Sequence, residues 1–451
     1  MDYLYCTLML LACCYCIVAM YTSNDGRYHL IGVVALFSIG YYVLPVIFKD
    51  YSGLDRIEPS RLAESVLMCL SFFLSMIIGN TLVDYIFRAT GMSGFAFGVL
   101  DENFVRHRYF VFIISYICWI SYVATSPLTS YGSDDIDTFF LERDQFSGTL
   151  SAIAGYALGA MATVLALEIA GGTRTNALWM GTLFISCIAS VLFTAQRLAV
   201  ITPVFTLVAA LAVCGASTVS RKLLFGGIAF LVAISPLMVF VREFQANGIS
   251  GQDKFNVASG QFDFGEASTI KKLLLSIMQR ADLLEVVTYL KDYIDATGHV
   301  SAQYFQSVIY SFVPRLIAGP KPFPLSDDGT VWGSISVIAW NLLSGNGIGS
   351  LSAFGAISAY WEGGWIWLPI NGFLTGATFA LIFRSLGYGS ILARCLFASI
   401  FVTVCVRNVP PSFFELIVAL SSNLIVIILL LLLHLATRKR LLTNPIDRPI
   451  N

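Results

Sequence analysis

The recurrence of long apolar segments constrains this chain more than any other feature. A helix of about 20 predominantly apolar residues crosses about 30 Å of hydrocarbon. About eleven segments approach this length, and they cover residues 3–21, 28–48, 62–87, 109–128, 150–170, 177–195, 198–217, 223–241, 364–386, 389–406 and 412–436. Backbone polar groups inside a bilayer must be paired within the protein. The segments therefore predict an all-α fold, a polytopic transmembrane helical bundle.

Composition supports this class. The 451 residues are 57% hydrophobic and 12% charged, whereas soluble domains are about 25% charged. The net charge of -1 gives no electrostatic reason to expect nucleic acid as a partner. All cysteines fall inside apolar runs, which indicates packing residues rather than a disulfide framework or a metal site.

Basic residues near the ends of the segments predict the orientation, because short cytoplasmic loops are rich in lysine and arginine. The densest basic group, at 438–440, predicts a cytoplasmic C-terminus. Counting back places residues 242–363 on the non-cytoplasmic side as one long segment. The same count places Arg61 on the non-cytoplasmic side, although basic residues are expected on the cytoplasmic side. A structureless loop of this length would be unusual, so we expect it to have a fold of its own.

The long segment shows a helical pattern. From Ser268 to Ile294, apolar residues recur at the spacing of an amphipathic helix, and charged residues such as Lys291 and Asp292 fill other positions. We predict three regions: an N-terminal transmembrane bundle at 1–241, a large loop with amphipathic helices at 242–363, and C-terminal transmembrane helices with a cytoplasmic tail at 364–451.

Cationic residues around this loop are candidate ligands for an anion. The planar fork of arginine fits phosphate oxygens, and lysine adds a point charge. Arg197 begins a predicted span, and Arg242 follows another. Arg280 lies in the predicted amphipathic helix, and Arg315 and Lys321 lie in a proline-rich run. An ordinary role at the membrane surface, as a snorkelling side chain or a surface ion pair, stays open for them.

The loop also offers candidates for a general base. Asp282 and His299 lead, with Glu266 and Glu362 behind them, because a histidine titrates near neutrality and a carboxylate accepts a proton when suitably placed. Asp282 lies two residues from Arg280, so orienting that arginine is an equal alternative.

The predicted spans give little support for transport. Their ionisable residues lie near the ends, and these are Glu64, Asp84, Glu168 and Arg394. Ion-coupled transporters usually have a midplane charge or a pair of interrupted helices in corresponding halves, and the sequence reveals neither. Chemistry at the outer face is therefore favoured.

A run in the loop resembles a known family. Tyr310-Ser311-Phe312-Val313-Pro314-Arg315, followed by Lys321-Pro322, is similar to the bacterial Wzy-type polysaccharide polymerases, which include O-antigen and exopolysaccharide polymerases. Thr194-Ala195-Gln196-Arg197, Arg242 after the preceding span, and Tyr360 with Gly363-Gly364 extend the resemblance over residues 190–390. Members often carry an acidic residue two positions before that tyrosine, where this chain has Ser358.

The resemblance implies a GT-C-like membrane glycosyltransferase that works without a metal or other cofactor. Such an enzyme moves a growing glycan from undecaprenyl diphosphate onto a lipid-linked repeat unit, in O-antigen and lipopolysaccharide or exopolysaccharide synthesis. It implies the bacterial inner membrane, with the active site facing the periplasm. The partners it implies are the undecaprenyl-diphosphate-linked oligosaccharide, the lipid bilayer, and a chain-length regulator and a flippase of the same pathway. Asp282 and His299 are then the catalytic candidates, and the five cationic residues bind pyrophosphate.

Two alternatives remain open. A ligase that passes a finished glycan to a different acceptor needs the same pyrophosphate site, as an O-antigen ligase does. A transporter or flippase of lipid-linked oligosaccharide belongs to another class and needs a cationic path through the bilayer.

Overall fold

The computed structural model describes residues 2–23, 26–48, 54, 57–91, 93–125, 145–171, 179, 181–183, 197–229, 283–299, 355–405 and 410–417, and near the C-terminus residues 420, 427, 428, 430–433, 435 and 436. No strand occurs within these ranges. The predicted all-α class is confirmed for this part of the chain.

The described helices occur along the chain in the following order. Helix α1 covers Asp2–Thr22, and α2 covers Gly26–Ser38 and continues through a π-helical turn, Ile39–Val43, into Leu44–Ile47. The next helices are α3 at Pro59–Thr90, α4 at Val99–Arg106, α5 at Arg108–Thr125, α6 at Gln145–Ala170, α7 at Arg197–Val213 and α8 at 217–229. They are followed by α9 at Leu283–Thr297, α10 at Gly355–Ile382 with a π-helical turn at Phe383–Gly387, α11 at Ile391–Cys405, and a short helix at 413–417.

Four of the described helical stretches are long and apolar enough to cross a membrane: Tyr3–Thr22, Pro59–Thr90, Ile153–Ala170 and Gly355–Gly387. Shorter apolar helices at Ile31–Ile47, Arg108–Ser121, Ile201–Val213 and Ile391–Phe401 coincide with further predicted spans. Together they are typical of a multi-pass membrane protein. The predicted spans at 177–195 and 223–241 lie largely outside the described residues and the span at 412–436 is described only in part, so the count of about eleven stays a prediction.

Helices α3 and α10 form the tightest packing in the bundle. A Cβ at Gly372 would lie 2.5 Å from the carbonyl oxygen of Phe72, and a Cβ at Gly376 would clash with the backbone of Met76. Small residues of this kind let two helix backbones approach closely in a membrane protein. Residue numbers rise together along both helices at these contacts, so α3 and α10 run in parallel.

Parallel packing gives the pair two distinct ends. At one end Asp84 of α3 pairs with Arg384, which follows α10, and its Oδ2 also lies 2.9 Å from Arg88 Nε. At the other end, which we call the junction end, α9 packs against the first turns of α3, where Thr288 Oγ1 donates to Ser65 Oγ at 2.9 Å.

The described part of the predicted amphipathic helix is α9. Its apolar face, Leu284, Val287, Leu290 and Ile294, is buried, as the periodicity predicts. The helix ends at Thr297, where Gly298 has a left-handed φ of 93° and its N–H donates to the Ile294 carbonyl. Residues 268–282 of the predicted helix lie outside the described residues.

Candidate functional site

Charged side chains of α3 and α9 meet the Tyr360 hydroxyl of α10 at the junction end. The Lys291 ammonium lies 2.7 Å from Glu64 Oε2 and 2.8 Å from Asp295 Oδ2. The other oxygen of Asp295 accepts a hydrogen bond from the Tyr360 hydroxyl at 2.6 Å. Alongside, Arg61 pairs with Asp292. We call the series Glu64, Lys291, Asp295 and Tyr360 the relay.

Lys291 is buried although it occupies one of the charged positions of the amphipathic pattern. Only 7% of Lys291 is exposed, because two carboxylates surround its ammonium and the ring of Tyr360 lies 5.9 Å away. A buried ammonium is tolerated when it is paired in this way. A similar ion pair involves Arg61, which the count of spans placed on the non-cytoplasmic side although basic residues favour the cytoplasmic side. Its charge is matched there by Asp292.

The relay keeps its charges at neutral pH. Burial by itself lowers the pKa of Lys291, but the hydrogen bonds with Asp295 and Glu64 outweigh burial and hold the pKa above its ordinary value. Burial likewise raises the pKa of Asp295, and the hydrogen bonds from Lys291 and Tyr360 more than reverse this effect and hold that pKa below its ordinary value. The Tyr360 hydroxyl therefore faces a carboxylate.

His299 stands beside the relay. It follows the glycine that ends α9, and its side chain is exposed. Its ring meets that of Tyr360 edge to face, with centroids 5.7 Å apart and an interplanar angle of 76°. On another side it lies against Gly364, where an added Cβ would be 3.1 Å from His299 Nε2. The imidazole thus has two fixed neighbours and an open side.

Helix α10 is interrupted where His299 contacts it. The interruption lies at Gly363 and Gly364, and the latter has φ 68° and ψ −160°, a backbone conformation that favours glycine. The prediction from the sequence concerned a pair of interrupted helices in corresponding halves, and one interruption among the described residues does not contradict it. Such a break leaves no hydrophobic signature, because the residues on both sides remain apolar. It coincides with the predicted boundary at 363, and the division into regions stays a prediction.

A buried carboxylate stabilises the interruption. Glu362 Oε2 accepts hydrogen bonds from Asn371 Nδ2 at 2.6 Å and Trp367 Nε1 at 3.1 Å, and Oε1 accepts one from Ser412 Oγ at 3.1 Å. Asn371 Oδ1 in turn accepts from the backbone N–H of Phe413 at 2.7 Å. We call this group the carboxylate network. It joins the two halves of α10 to the segment at 410–417.

A second carboxylate extends this network. Glu415 accepts hydrogen bonds from Ser358 Oγ at 2.7 Å and from the backbone N–H of Ser412 at 2.9 Å. Close by, the Gly355 N–H donates to the carbonyl of Pro410. Ser358 stands where the resembling polymerases often have an acid, and here its hydroxyl contacts an acid from another segment.

Of the predicted site residues, the structure describes the side chains of His299 and of Glu362, one of the two weaker base candidates, while the other, Glu266, lies outside the described residues. Arg197 is the first residue of α7, but its side chain lies outside what is described. Asp282, Arg242, Arg280, Arg315 and Lys321 also lie outside the described residues. Among the described residues no group of three or more histidine, cysteine, aspartate or glutamate side chains is placed to hold a metal ion.

Sequence reasoning missed the relay and the carboxylate network. The sequence indicated Tyr360 as part of a motif and Glu362 as a weaker base candidate, while Asp295 and Glu415 were not singled out. One available signal was the density of hydrogen-bonding residues in an otherwise apolar stretch, such as Glu362, Asn371 and Ser412. Polar groups in a membrane protein tend to be paired and functional.

Comparison with known proteins found no matching protein-family model, no matching curated protein and no matching solved structure.

Proposed function

We propose that this chain is a Wzy-type membrane glycan polymerase. It transfers a growing glycan from undecaprenyl diphosphate onto a sugar hydroxyl of a lipid-linked repeat unit, at the periplasmic face of the bacterial inner membrane. The observation that carries the proposal is the exposed imidazole of His299, fixed between Tyr360 and the interruption in α10 at the junction end. A base in this setting can reach a substrate from outside the bundle.

His299 acts as the general base in this reaction. The oxygen of the acceptor hydroxyl bonds to the anomeric carbon of the donor, while the bond from that carbon to the diphosphate oxygen breaks. The electron pair leaves with the diphosphate, and the hydroxyl proton passes to an imidazole nitrogen. A well-placed base contributes about a hundredfold to ten-thousandfold to the rate. Cationic side chains stabilise the diphosphate as its negative charge grows.

The length of α9 separates the two predicted bases. Its 15 residues separate its ends by about 21 Å at 1.5 Å per residue. Asp282 directly precedes the first residue of α9 and His299 follows the last by two positions. The two side chains are therefore alternatives rather than partners at one hydroxyl. Arg280, Arg315 and Lys321 remain the proposed pyrophosphate ligands, together with Arg197 and Arg242.

Glu362 is poorly suited to be the base. It is 7% exposed, and its two oxygens accept hydrogen bonds from three side chains. Taking a proton would require some of these hydrogen bonds to break. Its role in the proposal is to hold the interruption in α10 against which His299 lies.

Substitution tests the assignment. His299→Ala should reduce polymer at least a hundredfold, as expected for a general base. His107→Ala should leave polymer unchanged, because His107 is an equally exposed histidine at the end of α4. Arg315→Ala should cost about a hundredfold to a thousandfold, while Arg56→Ala serves as the cationic control. Normal polymer from both His299→Ala and Arg315→Ala, with protein present in the membrane, would refute the mechanism.

The interruption in α10 also favours a second candidate, a transporter of lipid-linked oligosaccharide. Transporters place substrate and ion sites at broken helices, and here the buried Glu362 and the partly buried Glu415 lie beside one. The effect of deleting the gene on surface glycan distinguishes the classes. Glycan stalled at one repeat unit indicates a polymerase, polymer retained on the carrier indicates a ligase, and repeat units trapped on the cytoplasmic side indicate a transporter.

A further inference from the structure

The relay ends on the residue that contacts His299. Glu64 on α3 holds Lys291, Lys291 holds Asp295, and Asp295 accepts the hydrogen bond of the Tyr360 hydroxyl at 2.6 Å. The members come from three different helices. Tyr360 is 5% exposed, so the position of its ring is set by packing as well as by its hydroxyl.

The Tyr360 ring contacts His299 on one side. The edge-to-face contact holds the imidazole at a centroid distance of 5.7 Å, and the Gly364 backbone limits it on another side. His299 lies just beyond the end of α9, where the helical hydrogen bonds no longer fix the chain. Its side-chain orientation therefore depends on these neighbours.

We propose that Tyr360 is a positioning residue for His299, anchored through Asp295 and Lys291. The inference rests on the proposed function, in which His299 is the base. A displacement of about 1 Å in a reacting group can cost about a hundredfold in rate. An aromatic pair of this geometry attracts beyond the area it buries, and this attraction favours one imidazole orientation.

Two variants separate the ring from its anchor. Tyr360→Leu removes the ring contact and should reduce polymer about a hundredfold. Tyr360→Phe keeps the ring and loses the hydrogen bond to Asp295. Polymer should then fall about tenfold, which is the loss that corresponds to one such hydrogen bond. Asp295→Ala removes this hydrogen bond and also the ion pair with Lys291, so it should lose at least as much polymer as Tyr360→Phe. The double variant should be no worse than Asp295→Ala, because the hydrogen bond of the Tyr360 hydroxyl is already lost in that variant. Asp295→Asn keeps an acceptor oxygen and should restore most of the polymer.

The test also needs a measurement that does not depend on activity. We would treat the detergent-solubilised full-length protein with diethyl pyrocarbonate and follow modification of each histidine by peptide mass spectrometry. In Tyr360→Leu, His299 should react faster relative to His107, which is the reference within the same molecule. Tyr289→Phe is the matched control, because Tyr289 lies on α9 with its side chain exposed.

The outcomes distinguish this inference from the proposed function. A reaction rate of His299 that is the same in wild type and Tyr360→Leu, both folded, would overturn the positioning role alone. Strictly additive losses in the Tyr360→Phe and Asp295→Ala pair would also overturn it. Normal polymer from His299→Ala would overturn the proposed function. The role of Tyr360 in catalysis would fall with it, because that role depends on His299 being the base.

Discussion

Replacing Glu362 by alanine tests how the interruption in α10 is stabilised. The carboxylate is the common acceptor for Asn371, Trp367 and Ser412. Asn371 and Ser412 are both 0% exposed, so neither can turn to solvent when the carboxylate is removed. Trp367 is half-buried and can find another partner more easily.

The expected cost follows from the two buried donors. A buried polar group left without a partner costs about 1–3 kcal/mol, so Glu362→Ala should lower the free energy of unfolding by about 2–6 kcal/mol. Glu362→Gln should cost less. Its amide oxygen can still accept from Asn371, and its amide nitrogen can donate to the Ser412 oxygen if that hydroxyl turns.

The stabilities of the three proteins can be compared by the midpoint of thermal unfolding in detergent. We expect wild type to be the most stable, followed by Glu362→Gln and then Glu362→Ala, with Ala several degrees below wild type. Glu102→Ala is the control, because Glu102 is an exposed glutamate on a helix. An Ala variant as stable as this control would refute the reasoning that the carboxylate anchors the interruption.

Three further predictions concern packing, charge and orientation. Gly376→Leu should prevent the close approach of α3 and α10 and abolish the folded protein in detergent, as judged by size-exclusion chromatography, whereas Gly226→Leu should not, since a Cβ there has no atom within 4 Å. Because the pKa of Asp295 is held below its ordinary 3.8, its carboxylate stabilises the folded state above that pH and loses this effect as the pH falls through the lowered value. The difference in thermal midpoint between wild type and Asp295→Asn should therefore stay constant across neutral pH and narrow only below pH 3.8. In a cysteine-free background, a cysteine at Ser301 should react with an impermeant thiol reagent from outside and one at Thr443 should not; the reverse pattern would invert the orientation.

Periodicity and composition predict the features that depend on neighbouring residues in sequence. The apolar segments predict the helical, multi-span class, and the spacing of Leu284, Val287 and Leu290 predicts the buried face of α9. Both predictions rest on a local rule: a helix repeats every 3.6 residues, so one face can be read from a short window. Gly298 likewise marks the helix end by its own conformational freedom.

Tertiary structure alone determined which polar groups meet. Thr288 and Ser65 are 223 residues apart and share a hydrogen bond, and Glu362 meets Ser412 across 50 residues. Lys291 has the same pattern in sequence as an exposed lysine and is buried only because Glu64 and Asp295 converge on it. The interruption at Gly364 is equally hidden, since glycine pairs also occur inside continuous membrane helices. Sequence periodicity determines which face of a helix is apolar, but the partners of a polar side chain depend on how distant helices pack, and no local rule contains that information.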